Sequence, residues 1–340
     1  MSEPRTGGSV ARISSLDATT RARVQAGCNY VNAEVARLRK RVTNTTILCV
    51  GVAILLWIVL QVQDPRLPFG IALGIWFLVW NRTQKELKAS YKGIVVRRIV
   101  ASLGRGLTYK PGPSLTVQQF GAMDLFKESA SVWNSEDEVS GRKNQVAYAL
   151  HEVRAGRRDN SSGRRMMFSP SLALISMGMR AAKQSQAIFF KGLVVKLDFN
   201  KNFAGHTVVV PDREGQILGG LFGESETRRQ KAIVRMENTD FEKQFSVYST
   251  NDQEARYVIT PKLMELVMEA QALLGAELRL CFKDNSLYVT VPQNKDRFEV
   301  NLFGGDVTPE SAIGDLVEVV NLAEKLVETL DLETRIWTRV

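Results

Sequence analysis

Histidine and cysteine are scarce in this chain: His151, His206, Cys28, Cys49 and Cys281 are all that occur in 340 residues. No two cysteines share a metal-ligand spacing, and an odd, scattered set fits a reducing compartment better than a disulfide framework. The histidines stand far apart with no Cys or acid at ligand spacing, so sheet-packing or surface roles are expected for both, rather than metal binding or general-base work. The signatures of four common chemistries are missing too. There is no Walker phosphate loop, no G-x-G-x-x-G, no H-E-x-x-H and no G-x-S-x-G. Ile217–Gly223 is rich in glycine (Gly219, Gly220, Gly223) but lacks the Lys-Ser/Thr of a phosphate loop and reads as a turn. No catalytic residue, cofactor-binding residue or metal ligand is therefore assigned, and no cofactor is expected.

Charge is absent from two neighbouring stretches. Thr45–Val62 carries none across 18 residues, which at helical rise is ~27 Å, close to a bilayer core. Leu67–Trp80 carries none across 14 residues, or ~21 Å. Only Gln63-Asp64-Pro65-Arg66 lies between them. Arg37, Arg39, Lys40 and Arg41 precede the pair; Arg82, Lys85, Lys88 and Lys92 follow it. Under the positive-inside rule both flanks stay in the cytoplasm and only the turn emerges. The expected location is the cell inner membrane, multi-pass, with both termini cytoplasmic. No cleaved leader is expected, since the first apolar run begins after 44 polar and helical residues. Gly70-x-x-x-Gly74 would let backbones approach closely within the hairpin or between copies, although the motif is common by chance.

Net charge is +9 but unevenly spread: residues 1–110 hold 17 Lys/Arg against 5 Asp/Glu, and residues 111–340 hold 28 against 31. A nucleic-acid binder carries its basic excess on the folded domain, so no nucleic-acid partner is expected. Here the excess lies where anionic lipids attract it, at about 1 kcal/mol per basic residue. Membrane lipids are the expected partners of Arg37, Arg39, Lys40, Arg41, Arg82 and Lys85, although orientation by the positive-inside rule alone accounts for these charges.

Apolar spacing divides the chain into a cytoplasmic N-terminal segment (1–44) with a helix over Ser15–Val42, a transmembrane hairpin (45–62 and 67–80), a juxtamembrane helix (81–104) and a cytoplasmic domain (105–340, with room for two subdomains). The two helices flanking the spans are expected to pair with each other or pack on the soluble domain. Leu107–Pro113 is extended and Leu115–Phe126 is a short helix candidate. Alternation predicts strands at Asn144–Ala155, Gln186–Phe199, His206–Val210, Lys231–Glu237 and Phe245–Ser249. Thr260-Pro261 opens a helix that ends near Gly275. Glu277–Phe282 and Leu287–Val291 form a hairpin through Lys283–Ser286. The last helix opens at Thr308-Pro309-Glu310 with a stripe of Ile313, Leu316, Val317, Val320, Ala323, Val327 and Leu330. The expected fold class is α+β, a transmembrane helical hairpin followed by antiparallel strands with covering helices. The basic, Met/Ser-rich stretch Gly156–Arg180 reads as a hairpin insertion, either a contact loop for an acidic partner or membrane, or a solvated loop.

Several ordered blocks stand out: Tyr109-Lys-Pro, Asp137-Glu138 followed by Gly141, His151-Glu152-Val153, Phe189-Phe190-Lys191-Gly192 with Asp198-Phe199-Asn200-Lys201, and Gly205–Asp212. The clearest is Phe241–Ser249, followed by Asp252–Tyr257 and Thr260-Pro261. On these residues the stretch from the spans to Phe303 resembles an uncharacterised bacterial family of two-span membrane proteins, domain of unknown function 3137. The resemblance implies topology and no activity. The carboxylates Glu152, beside Arg154, and Asp198, beside Lys201, are candidates for a site or for turn-stabilising ion pairs. Asp252 and Glu254 are explained by capping the helix that follows.

The functional expectation is a membrane-anchored cytoplasmic binding or scaffolding module, with a protein partner that the sequence does not identify. The alternative is a membrane-tethered enzyme acting on a lipid or peptide. A transport or channel subunit is disfavoured, because neither span carries an intramembrane charge.

Overall fold

The computed structural model describes residues 18–59, 66–103, 106–143, 146–158, 186–198, 202–212, 232–293 and 302–329. They form two compact units, one holding the chain up to Ser102 together with 302–316, the other holding 103–157, 186–293 and the chain from Val317 onward.

In the first unit α1 (Ala18–Val59) is one helix of 42 residues, ~63 Å long. The expected cytoplasmic helix and first span are therefore continuous. Thr43, Thr45 and Thr46, which carry the chain between them, donate their hydroxyls to the carbonyls of Arg39, Arg41 and Val42 at 3.0, 2.9 and 2.8 Å. Polar side chains thus cross this region without interrupting the helix. α2 (Arg66–Tyr91) likewise carries the second apolar stretch into the expected juxtamembrane helix, and a π-helical turn (Lys92–Val96) leads into α3 (Arg97–Leu103). Beyond the apolar stretches α1 buries Val24, Cys28, Val31, Val35, Leu38 and Val42, and α2 with its continuation buries Thr83, Leu87, Tyr91, Val95 and Ile99. Steps of three and four keep each set on one face, and the two helices pack together along these seams. Trp76 Nε1 donates to Thr46 Oγ1 at 2.8 Å, and Arg41 meets Glu86 at 3.4 Å, so the pairing holds at both levels.

The second unit is an antiparallel sheet with helices, α+β as expected. Its strands are β1 (Thr108–Lys110), β2 (Val132–Lys143), β3 (Val146–Arg158), β4 (Gln186–Asp198), β5 (Thr207–Pro211), β6 (Ala232–Val234), β7 (Phe245–Ser249), β8 (Arg279–Lys283) and β9 (Ser286–Pro292), in the order β1-β2-β3-β4-β9-β8-β5-β7-β6. Val194 faces Thr290 across β4–β9, Cys281 faces Tyr288 across β8–β9 and Val208 faces Cys281 across β5–β8. Period-two alternation then puts Phe190, Val194, Val208, Val210 and Cys281 on one face. There they join Val153 and Ala155 of β3 and the chain crossing them, Leu115, Phe120, Met123 and Leu125, in one core. Gly192 sits where β9 passes closest. A Cβ there would fall inside the backbone of Val291–Gln293, which gives Gly192 of the Phe189–Gly192 block a steric reason.

Helices at Thr239–Glu242 and Asp252–Val258 were not expected, and β2 and the cover helix differ from the sequence reading as well. β2 was not expected, because the residues it buries include Ser135 and Asp137 beside Val139. The cover helix α4 is only Val117–Ala122, not Leu115–Phe126. A capping box between Thr116 and Gln119 starts it, and Asp124, at φ 54°, lies in a left-handed conformation that no helix continues through. α5 (Thr239–Glu242), α6 (Asp252–Val258), α7 (Pro261–Leu274) and α8 (Pro309–Thr329) complete the order. α7 starts with Thr260 accepting from Leu263 N and ends at Gly275 with φ 60°, as the sequence predicts. The segment 302–316 groups with the helical unit, although it lies inside the domain expected over 105–340.

Candidate functional site

The two helices of the first unit expose a band of apolar surface. Of the 21 exposed large hydrophobic residues among the described residues, 16 lie on α1 between Ile47 and Val59 or on α2 between Phe69 and Leu78. Scattered apolar residues are ordinary on a protein surface, but a continuous band of this kind marks an interaction with lipid or protein. By length and composition one helix among the described residues, Arg21–Val59, suffices to cross a membrane, with a mean hydropathy of 2.2 in its most apolar window.

The basic flank divides into two kinds. Arg37 meets Glu34 at 3.6 Å, and Arg41 and Arg82 both meet Glu86, at 3.4 and 3.3 Å. Arg39 donates to the carbonyls of Leu302 and Gly304 at 3.1 and 3.2 Å. Lys40 and Lys85 are exposed, and Glu34, Arg37, Lys40, Arg41 and Glu86 line a cleft of about 560 Å³.

The second unit has a cleft of its own, about 530 Å³, on the sheet face that carries the cover helix. It exists because that end of the face is built from small residues. Thr108 faces Ser140 across β1–β2, Ser140 faces Ala149 and Arg142 faces Ala147 across β2–β3. Asp198 faces Ser286 across β4–β9. Hydroxyls and methyls floor the hollow, while Arg142, Lys196, Asp198 and Asn285 edge it. Two cations against one carboxylate suit a polar ligand bearing an anionic group. Asp198, read from sequence as a site or turn carboxylate, is at this edge; its supposed neighbour Lys201 lies outside the described residues, as do Ile217–Gly223 and most of Gly156–Arg180.

Each histidine has a partner that sequence reading missed. His151, on β3 between the cleft and the apolar cover, is buried with Nδ1 2.7 Å from Ser114 Oγ. Burial first, then the charges of Lys196 and Lys110, push its pKa down from 6.5 to about 4, so it is neutral at pH 7. A hydroxyl beside a neutral imidazole resembles an activated nucleophile, but no more than a twentieth of His151 is exposed. His206 Nε2 stands 3.1 Å from the Met123 carbonyl and 3.3 Å from Cys281 Sγ. A carbonyl only accepts, so Nε2 carries the proton and is no base toward the thiol. Cys281 itself is fully buried. Cys28 is buried too, and burial, with Glu310 adding to it, pushes its thiol up to about 11, away from reactivity. Among the described residues no group of three or more His, Cys, Asp or Glu is placed to hold a metal.

The remaining acids have structural work. Asp252 and Glu254 do not cap the helix opened by Thr260 but lie in the first turn of α6; Glu254 accepts from Ala204 N and Gly205 N at 3.0 and 2.6 Å, while Asn251 caps α6 by accepting from Glu254 N and Asp252 pairs with Arg256. Glu152 stands opposite Glu136, and Arg154 opposite Asn134, across β2–β3.

His151 makes stability depend on pH. Unfolded, it titrates near 6.5; folded, near 4. Its contribution is complete above pH 6.5 and is lost as pH falls through 4, by up to about 3 kcal/mol. Denaturant titrations across that range should show the wild type losing more stability than His151→Gln. Equal losses would mean that His151 is not buried neutral.

Residues 188–332 match the model of a family described as protein of unknown function, domain of unknown function 3137. The resemblance read from the sequence therefore holds over the blocks from Phe189 to Pro261, while Tyr109, Asp137–Gly141 and His151–Val153 lie outside the match. No curated protein matches the chain. Among solved structures, the mycobacterial trehalose monomycolate transport factor A, TtfA, is similar at a TM-score of 0.33 and 12% identity, over 74% of this chain and 95% of that one. A likeness of that size carries no functional argument.

Proposed function

We propose that this protein is a membrane-anchored binding module: α1 and α2 form a helical hairpin in the bilayer, and the sheet unit works in the cytoplasm, holding a ligand or partner at the membrane face. The observation that carries this reading is the exposed apolar band, Ile47–Val59 with Phe69–Leu78. Basic residues stand only at its cytoplasmic end, apart from Arg66 in the turn, which orients it. The second stretch is short, and a hairpin meets that shortness by thinning the bilayer locally. The cleft edged by Arg142 and Lys196 supplies a binding surface in the same reading.

Cysteine accessibility tests it. With Cys49 replaced by Ala, an impermeant maleimide should label Asp64→Cys in intact cells and Tyr257→Cys only after permeabilisation. Labelling of Tyr257→Cys from outside would reverse the topology. Protection of Asp64→Cys until the cells are opened would leave no hairpin across the membrane.

A further inference from the structure

One exposed aromatic is held in place by a dedicated set of bonds. Asn32 on α1 grips the backbone of Val307 from both sides: its Nδ2 donates to the carbonyl at 3.0 Å, and its Oδ1 accepts from the amide at 2.9 Å. Two turns further along the same face, Arg39 donates to the carbonyls of Leu302 and Gly304, the residues on either side of Phe303. Two turns beyond that, Thr46 accepts from Trp76 Nε1. Seven-residue steps keep Asn32, Arg39 and Thr46 in line, so this face of α1 positions both the 302–307 segment and the first tryptophan of α2.

The rings then form a continuous run. Trp76 stacks on Trp80 at 5.5 Å and 16°, and Trp80 stacks on Phe303 at 5.7 Å and 10°. Phe303 is still 57% exposed, while its neighbour Leu302 is completely buried. An aromatic left open while both adjoining carbonyls are pinned is presented rather than packed. Its depth is set by Trp80, the last uncharged residue of the apolar stretch, two positions before Arg82. Tryptophan and tyrosine concentrate at that boundary in membrane proteins, where an amphipathic ring meets the headgroups.

Resting on the membrane-anchor reading, we propose that Phe303 completes an interfacial aromatic belt with Trp76 and Trp80, so that the 302–305 loop inserts into the headgroup–acyl boundary of the cytoplasmic leaflet. Its partner is lipid. The exposed Lys40 and Lys85 stand in the same unit, suited to anionic headgroups.

The test uses the full chain with Cys49→Ala, reconstituted in vesicles containing phosphatidylglycerol, and a fluorophore on one added cysteine. Gly305→Cys suits the loop, because a Cβ there meets nothing within 4 Å and Phe303 stays intact. Leu55→Cys reports the anchor, and Glu128→Cys reports the surface of the sheet unit. A shallow lipid-borne quencher should extinguish the label at 305 but not at 128, and Phe303→Ser should abolish most of that quenching. Lipid quenching at 55 with none at 305, or quenching at 305 that Phe303→Ser leaves unchanged, overturns the belt and spares the anchor. No lipid quenching at 55 removes the anchor and the belt together.

Discussion

Val52→Arg combined with Leu55→Arg is expected to strip the protein from membranes while leaving its folded part intact. Both side chains are exposed, at 44% and 60%, on the stretch of α1 that is free of charge. They lie near the middle of Thr45–Val62, where an arginine costs about 2.5–3.5 kcal/mol on the insertion scale. Two should cost about 5–7 kcal/mol, several powers of ten in partition, less whatever their long side chains recover by reaching for the headgroups. Because neither residue packs inside the protein, melting of the sheet unit should not change. Alkaline carbonate extraction and flotation of the wild type, the double Arg variant and the matching double Ala variant measure the effect. Wild type and double Ala should float with membranes, and double Arg should remain in the soluble or aggregated fraction. If the band instead served a second protein, double Arg would alter the oligomeric state in detergent and the wild type itself would not float.

Sequence reading found strands that are compact runs of β-branched and aromatic residues bounded by turn signals. β5 is buried at all five positions and β7, β8 and β9 at most of theirs, and α7 announces itself with Thr260, Pro261 and Gly275. β2 escaped because polar side chains take the inward places: Ser135 accepts from Leu115 N at 3.4 Å and Asp137 accepts from the Tyr109 hydroxyl at 2.8 Å. A buried polar residue with a fixed partner is stable, yet alternation rules count it as outward. The bulge between Glu136 and Glu138, with Asp137 at φ 54°, shifts the register as well. That the helix over Ser15–Val42 runs straight into the first apolar stretch was open to sequence reading, and the hydroxyls of Thr43, Thr45 and Thr46, returned to helix carbonyls, let it do so.

Of the cleft only Asp198 was legible, as a candidate carboxylate. Its floor is Thr108, Ser140, Ala147 and Ala149, small residues with no pattern of their own, and its edge is completed by Lys196 and Asn285 from strands far along the chain. The histidine partners are equally non-local: Ser114 and His151 are 37 residues apart, His206 and Cys281 are 75 apart. Only the fold brings them together. Sequence therefore located the apolar band, which is one contiguous property, and missed the features assembled by strand order.

The other large effect is expected at α8, where Val320→Asp should unfold the protein or drive it into aggregates. The sequence stripe left open whether this helix closes the core or faces a partner. Burial decides between them: Ile313, Leu316, Val317, Val320, Ala323 and Val327 are all buried, and Val319, Leu322 and Leu326 are buried beside them. That face is wider than the stripe, which suits a helix enclosed on more than one side. Its ion pairs add little by comparison. Lys143 meets Glu328 at 2.7 Å and the less exposed Glu324 at 3.7 Å; Glu328 is 58% exposed, and a surface pair of that kind contributes about 0–1 kcal/mol. Val320 is 1% exposed. Losing its burial costs about 1.5–3 kcal/mol, and an unpaired carboxylate in its place adds about 3–5 kcal/mol. The sum approaches the whole stability of an ordinary domain, about 5–15 kcal/mol. Val320→Ala, which leaves only a small void, should lower the melting temperature and preserve cooperative unfolding, while Lys325→Asp on the exposed side should leave the melting temperature almost unchanged. Thermal melts of the three variants in detergent separate the two readings. A soluble Val320→Asp protein melting with the wild type would make this face of α8 a partner surface instead of core.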